Sequence, residues 1–437
     1  MAKIKVQDTE ITVIKSDNRD YISLTDMAGA KGNMSRAADV IKNWLRNRYT
    51  IEFLGVWEII HNLDFKVVEF DHFRKQAGLP SFVLSSSDWI VAQKNCIFAP
   101  LLKCSIMDRV VSGIRPTGFL HLGNYFGALR NFIKMQEEND CFFFIADYHS
   151  LTTHPTPKDL QSNVRNILIE YIAAGLDPEK ATIYVQSDVP QVCELSLLLS
   201  MNVYIGELQR VASFKEKVRR QPDNVNAGLL TYPVLMAADI LLHRADKVPV
   251  GKDQEQHLEM TRDFAQRFNR IYKNEYFKLP VAYNFGSELV KIPGLDGSTK
   301  MSKSDNENSC IFLSDAPEVI RKKVMKAVSD SGPTEPGQPK TQAVENLFHL
   351  MKAVSTPDTL QYFEDQYQNC AIRYGDMKKQ LAADMIAFVQ PVYERILELR
   401  GQDDYIRKVA REGAERARES AAKTVREVRE IIGIKSF

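Results

Sequence analysis

The six cysteines of the 437-residue sequence include no Cys-x-x-Cys pair. Zinc sites and iron–sulfur clusters are usually encoded by such close pairs, so their absence argues against both kinds of metal centre. The spacing of His243 and His257 also matches no compact metal site, and we interpret both as structural histidines. We therefore predict no metal ligands among the side chains of this protein.

Long apolar segments are absent as well. The N-terminus lacks the apolar core of a signal peptide, and the longest apolar runs, residues 97–102 and 195–199, are far shorter than a membrane span. Scattered thiols in a chain of this length are typical of a reducing compartment. These features predict a cytoplasmic protein with no membrane partner.

Neither sign of charge dominates, since the formal net charge is +1. No global basic field points to a nucleic acid, but an enzyme can confine its basic residues to one face, so an RNA partner stays open. A hydrophobic fraction of 44% is typical of globular proteins. The length predicts two or three domains.

Tryptophan is missing from most of the chain, because Trp44, Trp57 and Trp89 all lie in the first 90 residues. This shift in composition indicates two modules. Residues 93–106 show neither helical nor strand periodicity and are predicted to be a linker, with Met107 as the start of the second module. The predicted domains are residues 1–92, 107–317 and 318–437.

After Met107, short apolar runs alternate with longer amphipathic ones. Strands are predicted at residues 109–114, 141–146 and 181–186, and helices at 123–136 and 158–174. Strands that are apolar on both faces and separated by helices predict an α/β fold with a doubly wound, Rossmann-type parallel sheet.

Strand signals stop beyond Pro317, and an all-helical C-terminal domain is predicted. Its expected helices are residues 319–328, 341–354, 376–399 and 406–432. Pro391 should kink or divide the third of these helices, because proline removes a backbone hydrogen bond.

A glycine-rich turn, residues 112–118, follows the first predicted strand, and His121-Leu-Gly-Asn124 comes next. Ligands of parallel sheets bind beyond the carboxyl ends of the strands, at helix N-termini. His121 and Asn124 are three residues apart, so they share one side of a helical turn and can donate to phosphate oxygens. The segment alone is equally compatible with a turn that carries a surface histidine.

A second segment reads Lys300-Met-Ser-Lys303-Ser within a loop rich in glycine and small residues. By itself such a loop is most often a solvated turn. Its two ammonium groups could also stabilise charge that develops on pyrophosphate. Together, in this order and about 180 residues apart, the two segments resemble the signatures of class I aminoacyl-tRNA synthetases.

Between the signatures, an apolar helix at residues 228–242 carries a single acidic residue, Asp239. A buried carboxylate is costly unless it is paired, and Met236 shares its face of the helix. An indole ring suits this face, with Met236 against its flat body and Asp239 as the acceptor for its N–H. The alternative is a core helix with one paired aspartate.

With residues 147–152, 204–208 and 248–257, the region 107–437 is similar to tryptophanyl-tRNA synthetases. The resemblance implies that Asp239 recognises the indole nitrogen and that Gln254 holds the amino end of tryptophan. It implies that the tryptophan pocket is shaped by Tyr232, Met236 and His149. Tyrosyl-tRNA synthetases are the runner-up, but the apolar helix offers few polar partners for a phenol.

The resemblance also implies a site for ATP at the two signatures and the segments between them. Its residues are Arg115, Pro116, Thr117, Gly123, Asn124, Gly251, Lys252, Asp253, Lys291, Ile292, Lys300, Met301, Ser302, Lys303 and Ser304. Arg115 stands where many members have Gln, and Lys252 where many have Glu, so both make the ATP pocket more positive.

The expected reaction needs no enzymic nucleophile, since the tryptophan carboxylate attacks the α-phosphate of ATP. His121 and Asn124 are expected to hold the triphosphate, Lys300 and Lys303 the leaving pyrophosphate, and Mg²⁺ to bridge phosphate oxygens. The basic segments 210–220 and 321–326 are either solvated helix faces or contacts for tRNA(Trp). The family further implies a homodimer.

The first module has alternating strand patterns at residues 3–7 and 10–15 and a predicted helix at 36–48, and it resembles the first half of a KilA-N domain. That family is thought to bind DNA. Its basic residues Lys42, Arg46 and Arg48 are either phosphate contacts or solvated. Because the match fades after residues 82–89, we interpret this small α+β module as a truncated remnant.

A synthetase-derived regulator and a DNA-binding protein with an enzymatic tail remain alternatives, which the intact signatures disfavour.

Overall fold

The computed structural model describes residues 2–6, 9–16, 19–22, 52, 70, 75, 107–251, 254–283, 292–303 and 306–435. The chain divides into two compact units, Met1–Met107 and Asp108–Phe437.

The first unit contains a three-stranded antiparallel sheet of β1 (Ala2–Val6), β2 (Thr9–Ser16) and β3 (Arg19–Ile22), in that spatial order. Residue pairs run from Ala2 opposite Val13 to Val6 opposite Thr9. The alternating patterns had predicted the first two strands. The predicted helix at residues 36–48, with Lys42, Arg46 and Arg48, lies outside the described residues.

A five-stranded sheet forms the centre of the second unit, and all of its pairings are parallel. The strands are β4 (Arg109–Ile114), β5 (Asp140–Ile145), β6 (Ala181–Val185), β7 (Lys247–Val248) and β8 (Val281–Ala282). Their spatial order is β6-β5-β4-β7-β8. The chain starts at the central strand β4, adds β5 and β6 on one side, and then adds β7 and β8 on the other. The predicted doubly wound sheet is confirmed, and its three predicted strands are placed to within one residue.

Helices cover both faces of this sheet. Those between the strands are α1 (Leu122–Asn124), α2 (Arg130–Met135), α3 (Asp147–Ser150), α4 (Pro157–Ala173), α5 (Gln191–Ser200), α6 (Ile205–Arg210), α7 (Ala212–Arg220), α8 (Ala227–Leu242) and α9 (Glu255–Tyr272). A π-helical turn, Tyr125–Leu129, joins α1 to α2. Adjacent strand residues alternate between two cores: Phe143 packs in one and Phe142 in the other.

The C-terminal region is helical, as predicted, and consists of α10 (Pro317–Met325), α11 (Gln342–Val354), α12 (Pro357–Gln368), α13 (Tyr374–Arg400) and α14 (Asp403–Ile432). Helix α12 was not predicted. The expected division at Pro391 does not occur, because α13 continues through it with Val389 and Ile396 buried on either side. None of the helices in the described residues is long and apolar enough to cross a membrane.

Helix α14 passes over the edge strand β6. Ile406 and Val409 belong to the core on one face of the sheet, and Ala414 to the core on the other. At the crossing is Gly413, where an added Cβ would lie 1.7 Å from the carbonyl oxygen of Ile183. Only glycine permits this close contact between helix and strand.

Candidate active site

A cavity of about 410 Å³ opens at the carboxyl ends of β4 and its neighbours. The order of the strands places it where the chain reverses direction about β4, which is where open α/β sheets bind ligands. Its lining includes Gly113 of β4, Ala146 after β5, and Val250 and Gly251 after β7. Gly113 has no room for a side chain, since an added Cβ would lie 2.6 Å from the ring of Phe144.

One end of the cavity is formed by α8, which places Met236 and Asp239 in the lining. The Asp239 side chain is 3% exposed and both of its oxygens have protein partners. Gln186 Nε2 donates to Oδ1 at 2.7 Å, and His149 Nε2 lies 2.8 Å from Oδ2. Burial raises the pKa of Asp239 above its ordinary value, and the bonds from His149 and Gln186 oppose the rise. The carboxylate is therefore held in a fixed orientation at the cavity wall.

Tyr232 contributes its ring to this end of the cavity, while its hydroxyl is bonded within the protein. The hydroxyl oxygen is 2.6 Å from His257 Nε2 and 2.5 Å from Ser213 Oγ. Tyr232 therefore contributes its aromatic ring to the cavity wall, while its hydroxyl oxygen is already hydrogen-bonded within the protein. His257 is part of this internal network.

His243 lies in a different network. Its Nε2 is 2.9 Å from the hydroxyl of Tyr184, and its Nδ1 is 3.2 Å from Ser420 Oγ on α14. The two histidines thus belong to separate hydrogen-bond networks.

Arg115, in the turn after β4, also lines the cavity, whereas the signature residues His121, Asn124, Lys300 and Lys303 are not part of its lining. The guanidinium of Arg115 is largely buried, which lowers its pKa, and its Nε has no hydrogen-bond partner among the described residues. A buried cation that lacks an anionic partner is costly. Its position indicates that an anion completes the site.

His121 is the residue that precedes α1, and its side chain is 7% exposed. Its backbone N–H donates to Asn124 Oδ1 at 3.1 Å, so the two signature residues are joined. Burial, followed by the charges of Lys303 and Lys300, lowers the pKa of His121 to about 4. The imidazole is therefore neutral at physiological pH and can still donate one N–H.

The structure brings the second signature onto the first. Met301 is buried, and its Cβ would lie 3.6 Å from a Cβ added at Gly123. Lys303 Nζ donates to the carbonyl oxygen of Phe119 at 3.3 Å. The Met301 N–H also donates to the Ile292 carbonyl at 2.7 Å, so the predicted adenine-side residue is tied to the same loop. Lys300 is exposed, and Ser302 is half-buried.

Four predicted ATP residues, Lys252, Asp253, Lys291 and Ser304, lie outside the described residues. Pro116 and Thr117 lie in the turn after β4, where the Thr117 N–H donates to the Arg115 carbonyl at 2.9 Å. Gln254 lines the cavity as expected, and its backbone N–H donates to the Gly251 carbonyl at 2.9 Å.

Two residues of the site were not singled out from the sequence. Gln186, which fixes Asp239, is 53 residues away from it in the chain. Lys217 was grouped with the basic segment 210–220, but it lines the cavity, with Nζ 3.3 Å from the centroid of the Tyr232 ring. Burial, and then the charge of Arg115, lowers the pKa of Lys217 to about 8. A run of basic residues on a helix gave no signal that one of them turns inward.

Comparison with known families agrees with this geometry. A family model described as class I tRNA synthetases for W and Y matches residues 107–390, and one for the KilA-N domain matches residues 4–91. The parallel sheet, the contact between the two signature segments and the cavity at the carboxyl ends of the strands fit a class I tRNA synthetase.

Similar proteins and solved structures identify the family within this class. Tryptophan–tRNA ligase of Porphyromonas gingivalis is 62% identical over 75% of this chain and 100% of its own length, and that of Fusobacterium nucleatum is 41% identical over 75% and 98%. The crystal structure of tryptophanyl-tRNA synthetase from Campylobacter jejuni complexed with ADP and tryptophan superposes with a TM-score of 0.66, at 34% identity over 74% of this chain and 99% of that one. The chain belongs to the tryptophanyl-tRNA synthetase family.

Proposed function

We propose that this protein is a tryptophan–tRNA ligase, which activates L-tryptophan with ATP to tryptophanyl-adenylate and pyrophosphate and then transfers tryptophan to tRNA(Trp). The observation that carries the proposal is a single cavity whose lining contains both the fixed, buried carboxylate of Asp239 and the buried cations Arg115 and Lys217. We assign tryptophan to the end with Asp239 and its apolar walls. We assign ATP to the region of Arg115 and the two signature segments.

At the first end, Asp239 accepts the indole N–H, and Met236 and Tyr232 enclose the ring. His149 and Gln186 orient the carboxylate, and Gln254 holds the amino end of the substrate. Support comes from the shared lining of these side chains and from the engaged hydroxyl of Tyr232, which suits an apolar ring better than a phenol. This distinction favours tryptophan over tyrosine.

At the second end, His121 and Asn124 bind the triphosphate, and Lys300 and Lys303 stabilise the leaving pyrophosphate. Arg115, Pro116, Thr117, Gly123 and Gly251 form the surrounding walls, with Met301 and Ser302 in the loop and Ile292 towards adenine. Lys252, Asp253, Lys291 and Ser304 keep the ATP roles that the family resemblance gives them. Catalysis then consists of positioning and charge stabilisation, because the attacking group belongs to the substrate.

Mg²⁺ enters as part of the MgATP substrate. Among the described residues that line the cavity, Asp239 is the only carboxylate, and it is committed to His149 and Gln186. The ion, when bound, supplies charge neutralisation between phosphate oxygens. The protein side chains at this end contribute positive charge.

A homodimer is part of the proposal. The end of α5 and the start of α6 expose large apolar side chains, with exposed fractions of 57% for Leu197, 71% for Met201, 64% for Tyr204 and 64% for Ile205. Contiguous apolar surface of this kind is typical of protein interfaces. The C-terminal helices, from residue 318 onward, are proposed to read the anticodon, and the enzyme acts in the cytoplasm, where its tRNA substrate is charged.

Residues 1–92 are proposed to be dispensable for activation, with DNA binding as the alternative role of this unit. The linker at residues 93–106 and the boundary at 317 are part of the proposal. Support comes from the Porphyromonas gingivalis relative, whose whole length corresponds to 75% of this chain.

Amino-acid-dependent ATP–pyrophosphate exchange tests the proposal. The full chain and a variant that begins at Met107 are each assayed with all twenty amino acids separately. Exchange with tryptophan alone, at equal rates in both, is the expected result. A folded protein that exchanges with no amino acid would contradict the enzymatic function and favour a regulatory or DNA-binding role.

A further inference from the structure

Asn346 is a buried polar residue of α11 to which the reaction above gives no role. It is 2% exposed. Its Oδ1 accepts from Gln342 Nε2 at 3.0 Å, one turn earlier in the helix, and its Nδ2 donates to the backbone carbonyl oxygen of Ser298 at 2.8 Å. Burial of an amide is costly unless it is hydrogen-bonded, and the partner outside the helix is 48 residues away in the chain.

Ser298 lies two residues before Lys300, the first lysine of the second signature. The chain folds back on itself in this segment. The Ser298 carbonyl also accepts from the Gly294 N–H at 3.0 Å, and the Met301 N–H donates to the Ile292 carbonyl at 2.7 Å. These bonds join the two arms of one loop, and Asn346 holds the arm that leads into the signature.

Asp296 shapes the same loop from within. Its Oδ1 accepts from the backbone N–H of Ser298 at 3.1 Å and from the Ser298 hydroxyl at 2.6 Å. Its Oδ2 accepts from Asn306 Nδ2 at 3.2 Å, beyond the signature. The loop is therefore internally bonded on both sides of its lysines, and a rigid loop can be positioned as a unit from one external contact.

Helix α11 supplies that external contact. Gly297 has a φ of 90°, and a Cβ added there would lie 3.7 Å from the Cβ of Ala343 in the first turn of α11. The helix thus packs on the turn of the loop and bonds to it through Asn346. The described residues that line the cavity lie between Val111 and Gln254, so α11 reaches the site through the loop.

We propose that Asn346 is a positioning residue for adenylation, whose amide anchors the second-signature loop to α11 so that Lys300 and Lys303 are in place before ATP enters. The inference rests on the proposed function, which assigns the leaving pyrophosphate to these lysines. Asn346 acts on them through the backbone of Ser298. Charges that are already in place need no rearrangement when the transition state forms, so the anchor acts on the rate of the chemical step.

Asn346→Asp removes the anchor and little else. The carboxylate keeps the size of the side chain and an oxygen for Gln342, but it lacks the N–H that reaches Ser298. In tryptophan-dependent pyrophosphate exchange, kcat should fall about tenfold with the KM for tryptophan unchanged, because the lysines act on the leaving group. Asn274→Asp, the same change at an exposed position, is the matched control and should leave the kinetics unchanged. A change in the KM for tryptophan with kcat unchanged would overturn the proposal.

The Lys300→Met background identifies the pathway of the effect. If Asn346 acts by placing the signature lysines, Asn346→Asp adds little to the loss that Lys300→Met causes by itself, because residues that act together are not additive. Full additivity in the double variant would overturn the proposal.

Hydrogen–deuterium exchange of the full chain separates anchoring of the loop from general loosening of α11. In Asn346→Asp, the amides of residues 292–303 should exchange faster, while those of α11 keep their wild-type protection. Equal loosening of α11 and the loop would make Asn346 a structural residue, and wild-type protection of the loop would also refute the anchor. Either result leaves the proposed function standing. Absence of tryptophan-dependent pyrophosphate exchange in the wild-type protein would instead refute the proposed function, and the role in adenylation with it.

Asn346→Leu serves if the Asp variant does not fold. The Ser298 carbonyl keeps its bond from the Gly294 N–H, and an apolar side chain suits a buried position, so no buried acceptor loses its last partner. The same fall in kcat and the same faster deuterium exchange of the loop are expected. Wild-type kinetics in either folded variant would overturn the role of Asn346.

Discussion

Gln186 donates to Oδ1 of Asp239 at 2.7 Å, on the carboxylate oxygen opposite the one that faces His149. The carboxylate thus has one protein partner for each oxygen and retains lone pairs on both. In the proposed complex, these lone pairs accept the indole N–H as a further donor. Neither of the existing partners has to leave.

Asp239→Asn is expected to lower kcat/KM for tryptophan by about 100-fold, because a charged acceptor becomes a neutral amide whose NH₂ group opposes a neighbouring donor. Tryptophan-dependent pyrophosphate exchange measures the effect. Asp263→Asn, on the exposed side of α9, makes the same change away from the cavity and should have no effect. Unchanged tryptophan kinetics in Asp239→Asn would remove Asp239 from substrate recognition.

Deprotonation of Lys217 is expected to lower the activity at alkaline pH. Since its pKa is lowered to about 8, the ammonium loses its proton as the pH rises through that value, and attraction for triphosphate is lost. The pH profile of kcat/KM for ATP, which reports the free enzyme, should therefore fall above pH 8. Lys217→Arg keeps its charge and should extend the plateau upward; a limit that stays at the same pH would assign it to another group.

His121 makes the folding stability of the protein depend on pH in the acid range. Its pKa is about 4 in the folded protein and 6.5 when unperturbed, so the unfolded chain binds more protons between these values. Stability is consequently lost as the pH falls from about 6.5 towards 4, by about 2 kcal/mol at pH 5. His121→Gln lacks this proton-binding site, so its unfolding free energy in urea should fall less between pH 7 and pH 5. Equal losses in the two proteins would contradict the buried, neutral state of His121.

Gly413→Ala tests the crossing of α14 over β6. An added methyl group would overlap the Ile183 carbonyl, so the helix must move away from the strand, and a loss of about 3 kcal/mol is expected. Thermal unfolding of the full chain measures it. Gly375→Ala is the control, since a Cβ there meets no atom within 4 Å and the residue lies in the first turn of α13. Its stability should be unchanged or slightly higher.

Much of the fold was predictable because each face of the central strands is buried. β5 is apolar after its first residue, Asp140, and β6 is apolar except for Thr182, which predicted both strands and their parallel pairing. The two-residue strands β7 and β8 are too short to produce a pattern. Helix α13 continues through Pro391 because packing along the helix outweighs the loss of one backbone hydrogen bond.

The site was predictable where it is encoded in contiguous residues. His121 with Asn124, and Lys300 with Lys303, are local motifs, and Met236 with Asp239 share one helix face. Gln186 has no local signature, since its partner Asp239 is 53 residues away in the chain. The position of Lys217 was missed for a different reason. Its basic neighbours suggested a solvated helix face, whereas its side chain lines the cavity.

The position of α14 also sets an order for folding. β6 is an edge strand of the central sheet, yet the 30-residue helix that lies over it is synthesised after every strand of that sheet. Until that helix leaves the ribosome, the edge strand keeps unpaired backbone groups that invite pairing with other chains. A chain cut short near its C-terminus would therefore lose the cover of its nucleotide-binding sheet and tend to aggregate, although every signature residue had already been made.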